Sequence, residues 1–158
     1  MPSPIRPTDE AARQMARDLI ANARIAALAV TLDGAPFVSR IAFGTAPDGA
    51  PLTLISSLAA HTRAIVSDPR AALLLGEANG KGDPLNLPRL TLIARAVAVD
   101  EDQRAATAAH YLRGHPKAKL YIGFADFTLF RFSVTRGHLN GGFGKAFALT
   151  SADMGLPG

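Results

Sequence analysis

The chain has 158 residues, of which 48% are hydrophobic and 19% are charged, and its formal net charge is +4. This composition excludes a disordered chain and suffices for one domain with a sizeable core. The absence of cysteine excludes disulfides, thiolate zinc sites and a cysteine nucleophile. No segment is apolar over the roughly 20 residues that span a bilayer, and the start lacks the apolar stretch of a secretory signal. We therefore expect a cytoplasmic protein without a membrane partner.

The first third of the chain predicts a helix followed by strands. Thr8, followed by two acidic residues, predicts a helix start, and apolar residues at helical spacing continue it over residues 9–23. An apolar run then ends at Asp33-Gly34, a strong hairpin pattern, and a second Asp-Gly pair follows the next run. Together these patterns predict an antiparallel meander. Its three strands are predicted over residues 25–32, 37–46 and 51–57.

The remainder of the chain predicts more strands and two helices. Ser57 predicts the N-cap of a short helix over 58–67. Further strands are predicted over 70–77, 90–99 and 127–135, a loop over 78–88 and a helix over 102–113. Strands and helices do not alternate, so a doubly wound parallel sheet is excluded. The predicted fold class is mainly β (α+β), a mostly antiparallel barrel of about six to seven strands with a few peripheral helices.

The best candidate for chemistry is the junction between the third strand and the short helix. The strand delivers Ser56 and Ser57 to the first turn of the helix, where unpaired N–H groups attract an anion. His61 lies one turn after Ser57 on nearly the same face, and Arg63 adds a permanent charge. The pattern indicates a phosphate site, and the alternative is an ordinary capped helix whose His and Arg face solvent.

Four stretches in this order resemble a known family. They are FVSRIAF at 37–43, SSLAAHTR at 56–63, DPRAAL at 68–73 and PRLTLIARA at 88–96. They resemble the pyridoxamine 5'-phosphate oxidase-like FMN-binding split barrels and are most similar to the haem-utilisation branch, over about residues 12–148. The resemblance implies a split-barrel domain over residues 9–148, between terminal segments 1–8 and 149–158.

The resemblance also implies a cofactor and the residues that hold it. FMN phosphate would meet the strand-end hydroxyls, and His61 stands where many members have a lysine. Of Ser39 and Arg40, adjacent on one strand, only one can face the cofactor. The implied cofactor-binding residues are Ser39, Arg40, Ser56, Ser57, His61, Arg63 and Arg89. FMN would lie between the subunits of a homodimer that acts on a small-molecule substrate. Because a neutral imidazole carries no charge, FMN binding should weaken as pH rises through the pKa of bound His61.

The resemblance leaves three functions open. The first is an FMN-dependent oxidoreductase, in which the flavin carries the redox step and no catalytic residue is indicated. The alternative is a haem-binding or haem-degrading protein of the haem-utilisation type, whose axial ligand would be His61, His110, His115 or His138. The second alternative is a non-catalytic flavin or ligand-binding module. We expect no nucleic-acid partner, because Phe130 and Phe132 share a strand face typical of a core, and no metal-ion site.

Overall fold

A computed structural model describes residues 3–158; Met1 and Pro2, in the predicted N-terminal segment, lie outside the described residues. The described chain forms one nine-stranded sheet with three α-helices and two short 3-10 turns, so the predicted fold class is confirmed. The strands are β1 (Ile5–Arg6), β2 (Ile25–Leu32), β3 (Ala35–Ala42), β4 (Gly44–Thr45), β5 (Pro51–Ser56), β6 (Arg70–Leu75), β7 (Arg89–Ala98), β8 (Phe127–Asn140) and β9 (Ala146–Thr150). The helices are α1 (Glu10–Asn22), α2 (Ala60–Ser67) and α3 (Glu101–Gly114), and the 3-10 turns are Pro84–Asn86 and Pro116–Leu120.

The strands are ordered β1-β9-β8-β7-β6-β2-β3, and β5 pairs with both β8 and β4. Every pair is antiparallel except β1 with β9. The Asp33-Gly34 hairpin between β2 and β3 forms as predicted, with both residues at positive φ. The predicted third strand forms as β5 and pairs with β4, the end of the predicted strand over 37–46, but it also pairs with β8 and not with β3, so the meander forms only in part.

Phe43 explains why the predicted strand over 37–46 is two strands. Its side chain is fully buried in the core, and the ladder is interrupted at this residue. β3 before it pairs with β2, whereas β4 after it pairs with β5. The Thr53 hydroxyl donates to the Ala42 carbonyl at 2.6 Å, which links β5 to the end of β3. The sheet therefore curls into a split barrel that stays open between β3 and β5.

Two helices begin later than the sequence predicts. The N-cap of α1 is Asp9, whose carboxylate accepts from the Ala12 N–H at 2.8 Å, while the Thr8 hydroxyl donates to the Ala148 carbonyl. The predicted Ser57 cap of α2 is also wrong. The Ser57 N–H donates to the Asp126 carbonyl, and a turn intervenes before the helix starts after Ala59.

The core lies inside the barrel, where alternate strand residues meet α1 and α2. Helix α1 contributes Ala12, Ala16 and Ile20, and Phe130 and Phe132 are buried as predicted. The packed structure extends past residue 148, because β9 ends at Thr150 and Met154 and Leu156 are also buried. Asp153 ties this segment to α1 by accepting from Arg13 Nε at 2.8 Å.

Helix α3 covers part of the outside of the barrel. With the 3-10 turn after it, α3 forms a second apolar cluster against β5 and the start of β8, which includes Leu52, Tyr111 and Leu129. The outer face, defined here as the side of β2, β3, β6, β7 and the later part of β8 that points away from the core, lies outside this cluster. Its side chains include Val38 and Leu74, which are 63% and 45% exposed. An apolar sheet face is thus open to solvent.

Candidate functional site

The predicted phosphate site is assembled in part. Ser56 ends β5, and its hydroxyl accepts from the Leu58 N–H at 3.1 Å and donates to Asp126 Oδ2 at 3.3 Å. Ser57 is exposed. Within residues 3–158 the N–H groups of Ala60 and His61, at the start of α2, have no hydrogen-bond acceptor. The site thus offers free amides, but the Asp126 carboxylate beside Ser56 opposes an anion.

Ser39 is the member of its pair that faces this site. Its hydroxyl lies 2.9 Å from His61 Nδ1, so strand β3 and helix α2 are joined by this hydrogen bond. Arg40 points to the outer face, as alternation along a strand requires. Burial lowers the pKa of His61 below its usual value of 6.5. The imidazole is therefore neutral at pH 7, with Nδ1 engaged by Ser39.

The other two predicted arginines, Arg63 and Arg89, lie in different parts of the fold. Arg63 is exposed on α2, beside the cradle, a name used here for Ser56, Ser57 and the free N–H groups of Ala60 and His61. Arg89 starts β7 and donates to the carbonyls of Leu85 and Leu87, at 2.9 and 3.3 Å. These bonds hold Arg89 against the preceding turn. Arg89 lies near the C-terminal end of β6, whereas α2 precedes the N-terminal end of β6. The structure therefore brings together Ser39, Ser56, Ser57, His61 and Arg63, and it separates Arg40 and Arg89 from them.

The outer face is a second candidate site, which the sequence reasoning missed. Residues directly opposite each other in antiparallel strands share a face, so the pairing register defines rows of side chains across the sheet. One row is Arg40, Ala27, Leu74, Thr91 and His138. The neighbouring row is Val38, Ala29, Ala72, Ile93 and Arg136. Apolar side chains thus occupy the middle of this face, and basic groups lie at both sides.

A β-bulge in β8 brings the basic groups to this face. Ile93 is opposite Arg136, whereas Ala94 is opposite Val134, so Thr135 is an additional residue on β8. Thr135, Arg136 and His138 are all exposed, and Gly137 and Leu139 point into the core. Within residues 3–158 the imidazole of His138 forms no hydrogen bond. Its ring nitrogens are available to a ligand.

The other histidines are engaged or lie elsewhere. His115 Nε2 is 2.6 Å from the Phe43 carbonyl, and the ring stacks on Tyr111. His110 lies beside His115 in a pocket on the far side of α3. No cluster of His, Asp or Glu that could hold a metal ion is found in residues 3–158. None of the helices in this part of the chain is long and apolar enough to cross a membrane.

A pattern in the sequence could have revealed the outer face. In a sheet with one solvated face, the outward positions are usually polar. In β2 and β6 the outward positions are instead apolar, including Ala27, Ala29, Ala72 and Leu74. Both faces of these strands are therefore apolar, which indicates that something covers the outer one.

Comparison with known proteins identifies the family. A sequence profile of the CREG β-barrel matches residues 7–153. The chain belongs to this family. Over 99 residues it is 38% identical to the chloroplastic heme oxygenase HOZ of Arabidopsis thaliana, an alignment that covers 63% of this chain and 30% of the plant protein. The chain therefore spans less than a third of the length of this curated relative.

Solved structures share the fold of this chain. A heme-binding protein from Mycobacterium smegmatis is 32% identical with a TM-score of 0.83, over 96% of this chain and 61% of the other. A pyridoxinephosphate oxidase family protein from Clostridium acetobutylicum, related to general stress protein 26, is 13% identical with a TM-score of 0.72, over 93% and 99% of the two chains. The latter shares the fold alone. The predicted resemblance to split barrels of the haem-utilisation branch is confirmed.

Proposed function

We propose that this CREG-like protein binds haem on its outer face and belongs to the oxidoreductases that act on haem. The observation that carries the proposal is His138, a free imidazole at the side of an apolar sheet face with arginines around it. The names of two relatives, a heme oxygenase and a heme-binding protein, support the same ligand. Haem was the alternative to FMN in the sequence interpretation, and it becomes the main proposal here.

The donor set of the outer face suits an iron porphyrin. A histidine imidazole is a common axial ligand of haem iron. His138 is the best candidate, because His61 and His115 each have a ring nitrogen within hydrogen-bond distance of another residue of the chain. His138 is exposed, so its imidazole can approach a ligand lying on the sheet without rearrangement of the core. We therefore propose that His138 would hold the haem iron.

The rest of the outer face suits the remainder of the haem molecule. Ala72, Leu74 and Ile93 offer an apolar surface to the macrocycle, across strands about 4.8 Å apart. Arg40 and Arg136 lie at its two sides and form no ion pair within residues 3–158, so their guanidinium groups are available to the propionates. Guanidinium binds carboxylate with paired hydrogen bonds, which fixes orientation as well as charge.

A homodimer through the same face follows as part of the proposal. An open apolar sheet face costs solubility, and a second copy related by a two-fold axis would cover it. Haem would then lie between the subunits, with water excluded from its faces. When bound, haem supplies iron redox chemistry. The chain itself contributes the His138 contact, the apolar surface and the arginine partners.

The experiment is a haem titration followed by absorbance, with single histidine variants. We expect wild-type protein to give a sharp Soret band with one haem per binding site, and His138→Ala to lose or shift it. His110→Ala, which alters a histidine away from the outer face, serves as the matched control and should keep the wild-type spectrum. If His138→Ala binds haem with the wild-type spectrum and affinity, the proposal is wrong.

The assembly is measured on the same samples by light scattering after gel filtration. Val38→Asp introduces a charge at the β3 edge of the outer face and should convert the dimer to a monomer. A dimer that persists in Val38→Asp would refute this interface. Loss of haem with loss of the dimer would support a site shared by two subunits.

FMN remains a second candidate because of the free Ala60 and His61 amides at the start of α2, next to the exposed Ser57 hydroxyl. A phosphate bound there would accept from these amides, although it would lie near Asp126. A flavin spectrum in the purified protein, lost in Arg63→Gln and kept in His138→Ala, would support FMN at the cradle. Protein that is colourless after incubation with excess FMN and removal of unbound FMN by gel filtration would exclude it.

A further inference from the structure

A separate pocket lies where α1 and α3 both end, away from the outer face and the cradle. Its volume is about 320 Å³, and its wall is formed by the last residues of α1, the Phe43–Thr45 segment and the last turn of α3. This volume is near the lower limit of pockets that hold small organic ligands. The residues that bear charge or an imidazole at this pocket are Arg24, His110, Arg113 and His115.

The charged side chains that line the pocket are all basic. No aspartate or glutamate lines it, and neither Arg24 nor Arg113 forms an ion pair within residues 3–158. In contrast, Arg13, Arg70 and Arg131 each pair with an aspartate. His110 precedes Arg113 by three residues, so the two side chains share a face of α3.

The two helix ends that border the pocket do not cancel this charge. Each helix C-terminus carries roughly half a negative charge, so α1 and α3 together contribute about one. The two guanidinium groups contribute two permanent positive charges. The balance remains positive and favours an anion.

The wall of the pocket is rigid. His115 Nε2 donates to the Phe43 carbonyl at 2.6 Å, since a carbonyl can only accept. The ring stacks on the buried Tyr111, with centroids 4.6 Å apart. Gly44 packs against both rings, since an added Cβ would lie 3.0 Å from the Tyr111 ring and 3.6 Å from the His115 ring. The imidazole is thus held in one orientation before any ligand arrives.

We propose that this pocket binds a small phosphate monoester, with Arg24 and Arg113 on the phosphate oxygens and the two imidazoles beside them. Two guanidinium groups match a dianionic phosphate in charge and in hydrogen-bond geometry. The pocket is much larger than a single water molecule, which occupies about 30 Å³. It therefore has room for a small organic group beside the phosphate. This site is independent of haem binding.

The test is calorimetric titration with glycerol 3-phosphate and with inorganic phosphate at low ionic strength. We expect the monoester to bind, and the double variant Arg24→Gln, Arg113→Gln to bind at least tenfold more weakly, a difference of about 1.4 kcal/mol. The double variant Lys117→Gln, Lys119→Gln removes the same charge from exposed positions outside the pocket and should match the wild type.

Three results would overturn the proposal. They are no binding of the monoester at millimolar concentration, an equal loss in the two double variants, and tighter binding of free phosphate than of the monoester. As a second readout, the ring resonances of His110 and His115 should shift on titration of wild-type protein. Shifts confined to His61 would locate the anion at the cradle and refute the pocket.

Discussion

Replacement of Gly76 should be strongly destabilising, because two separate costs fall on this position. Its φ of +103° lies in a region that residues with a Cβ rarely adopt. An added Cβ would also lie 2.5 Å from the Pro88 carbonyl oxygen and 3.0 Å from Arg89 Cα. Both neighbours are backbone atoms at the start of β7, so neither can move without disturbing the pairing of β7 with β6.

The expected loss for Gly76→Ala follows from adding these costs. A left-handed conformation costs a residue with a Cβ roughly 1–2 kcal/mol, and overpacking costs about 1–3 kcal/mol more. The free energy of unfolding should therefore fall by about 2–5 kcal/mol. For a domain of about 150 residues, each kcal/mol lowers Tm by roughly 2–4 °C. The total corresponds to a decrease of about 4–20 °C.

Gly34→Ala is the matched control for this experiment. Gly34 also has positive φ, +78°, but nothing lies within 4 Å of an added Cβ. It should therefore lose only the conformational part, about 1–2 kcal/mol. Urea unfolding of both variants, followed by circular dichroism, measures the difference. Equal losses in Gly76→Ala and Gly34→Ala would refute the contact with Pro88.

The remaining predictions concern pH and the C-terminal segment. Hydrogen bonds from Arg13 and Thr150 lower the pKa of Asp153 to about 2, so its stabilisation is present above pH 3.8 and is lost as pH falls towards 2; Asp153→Asn should flatten acid unfolding in this window. Burial lowers the pKa of His61, so the neutral imidazole favours the folded state above pH 6.5, and this stabilisation is lost as pH falls through the folded-state pKa. His61→Gln should remove this pH dependence in urea titrations at several pH values. Phosphate bound at the cradle would favour the protonated form of His61, so the affinity for phosphate, measured by calorimetry, should fall as pH rises from about 6 to about 8. An affinity that does not change over this range would exclude His61 as a phosphate partner. Met154→Ala should cost about 2–5 kcal/mol in urea unfolding, because Met154 is buried in the core; a loss below about 1 kcal/mol would show that residues after β9 contribute little.

The strands were predictable from the sequence where one local pattern fixed them. The Asp33-Gly34 turn sets the register of its hairpin, and the run over 25–32 matches β2 to the residue. The pairing of β5 was not predictable, because it depends on β8, more than 70 residues away. The predicted cap at Ser57 failed because α2 starts only after Ala59, and the segment before it is held by the bond from the Ser57 N–H to the carbonyl of Asp126, another distant residue.

The candidate sites also differ in how far the sequence could predict them. Ser56, Ser57, His61 and Arg63 lie within eight residues of chain, so their proximity could be predicted from spacing alone. The contact between Ser39 and His61 needed the facing of β3, which the sequence left open. The outer face is built from five strands whose order only the folded sheet provides. From the sequence alone, His138 could therefore not be distinguished from the other three histidines as a candidate haem ligand.

The bulged pairing of β8 has a consequence for the face on which its histidine lies. Before Thr135 the even-numbered residues Phe130, Phe132 and Val134 point inward, and after it the odd-numbered Gly137 and Leu139 do so. Regular pairing of every residue after Val134 would turn Arg136 and His138 into the barrel, whereas loss of Thr135 together with the bulge would leave both outward. The pairing of Ile93 with Arg136, rather than the length of β8, thus decides whether the barrel presents an imidazole to its surroundings.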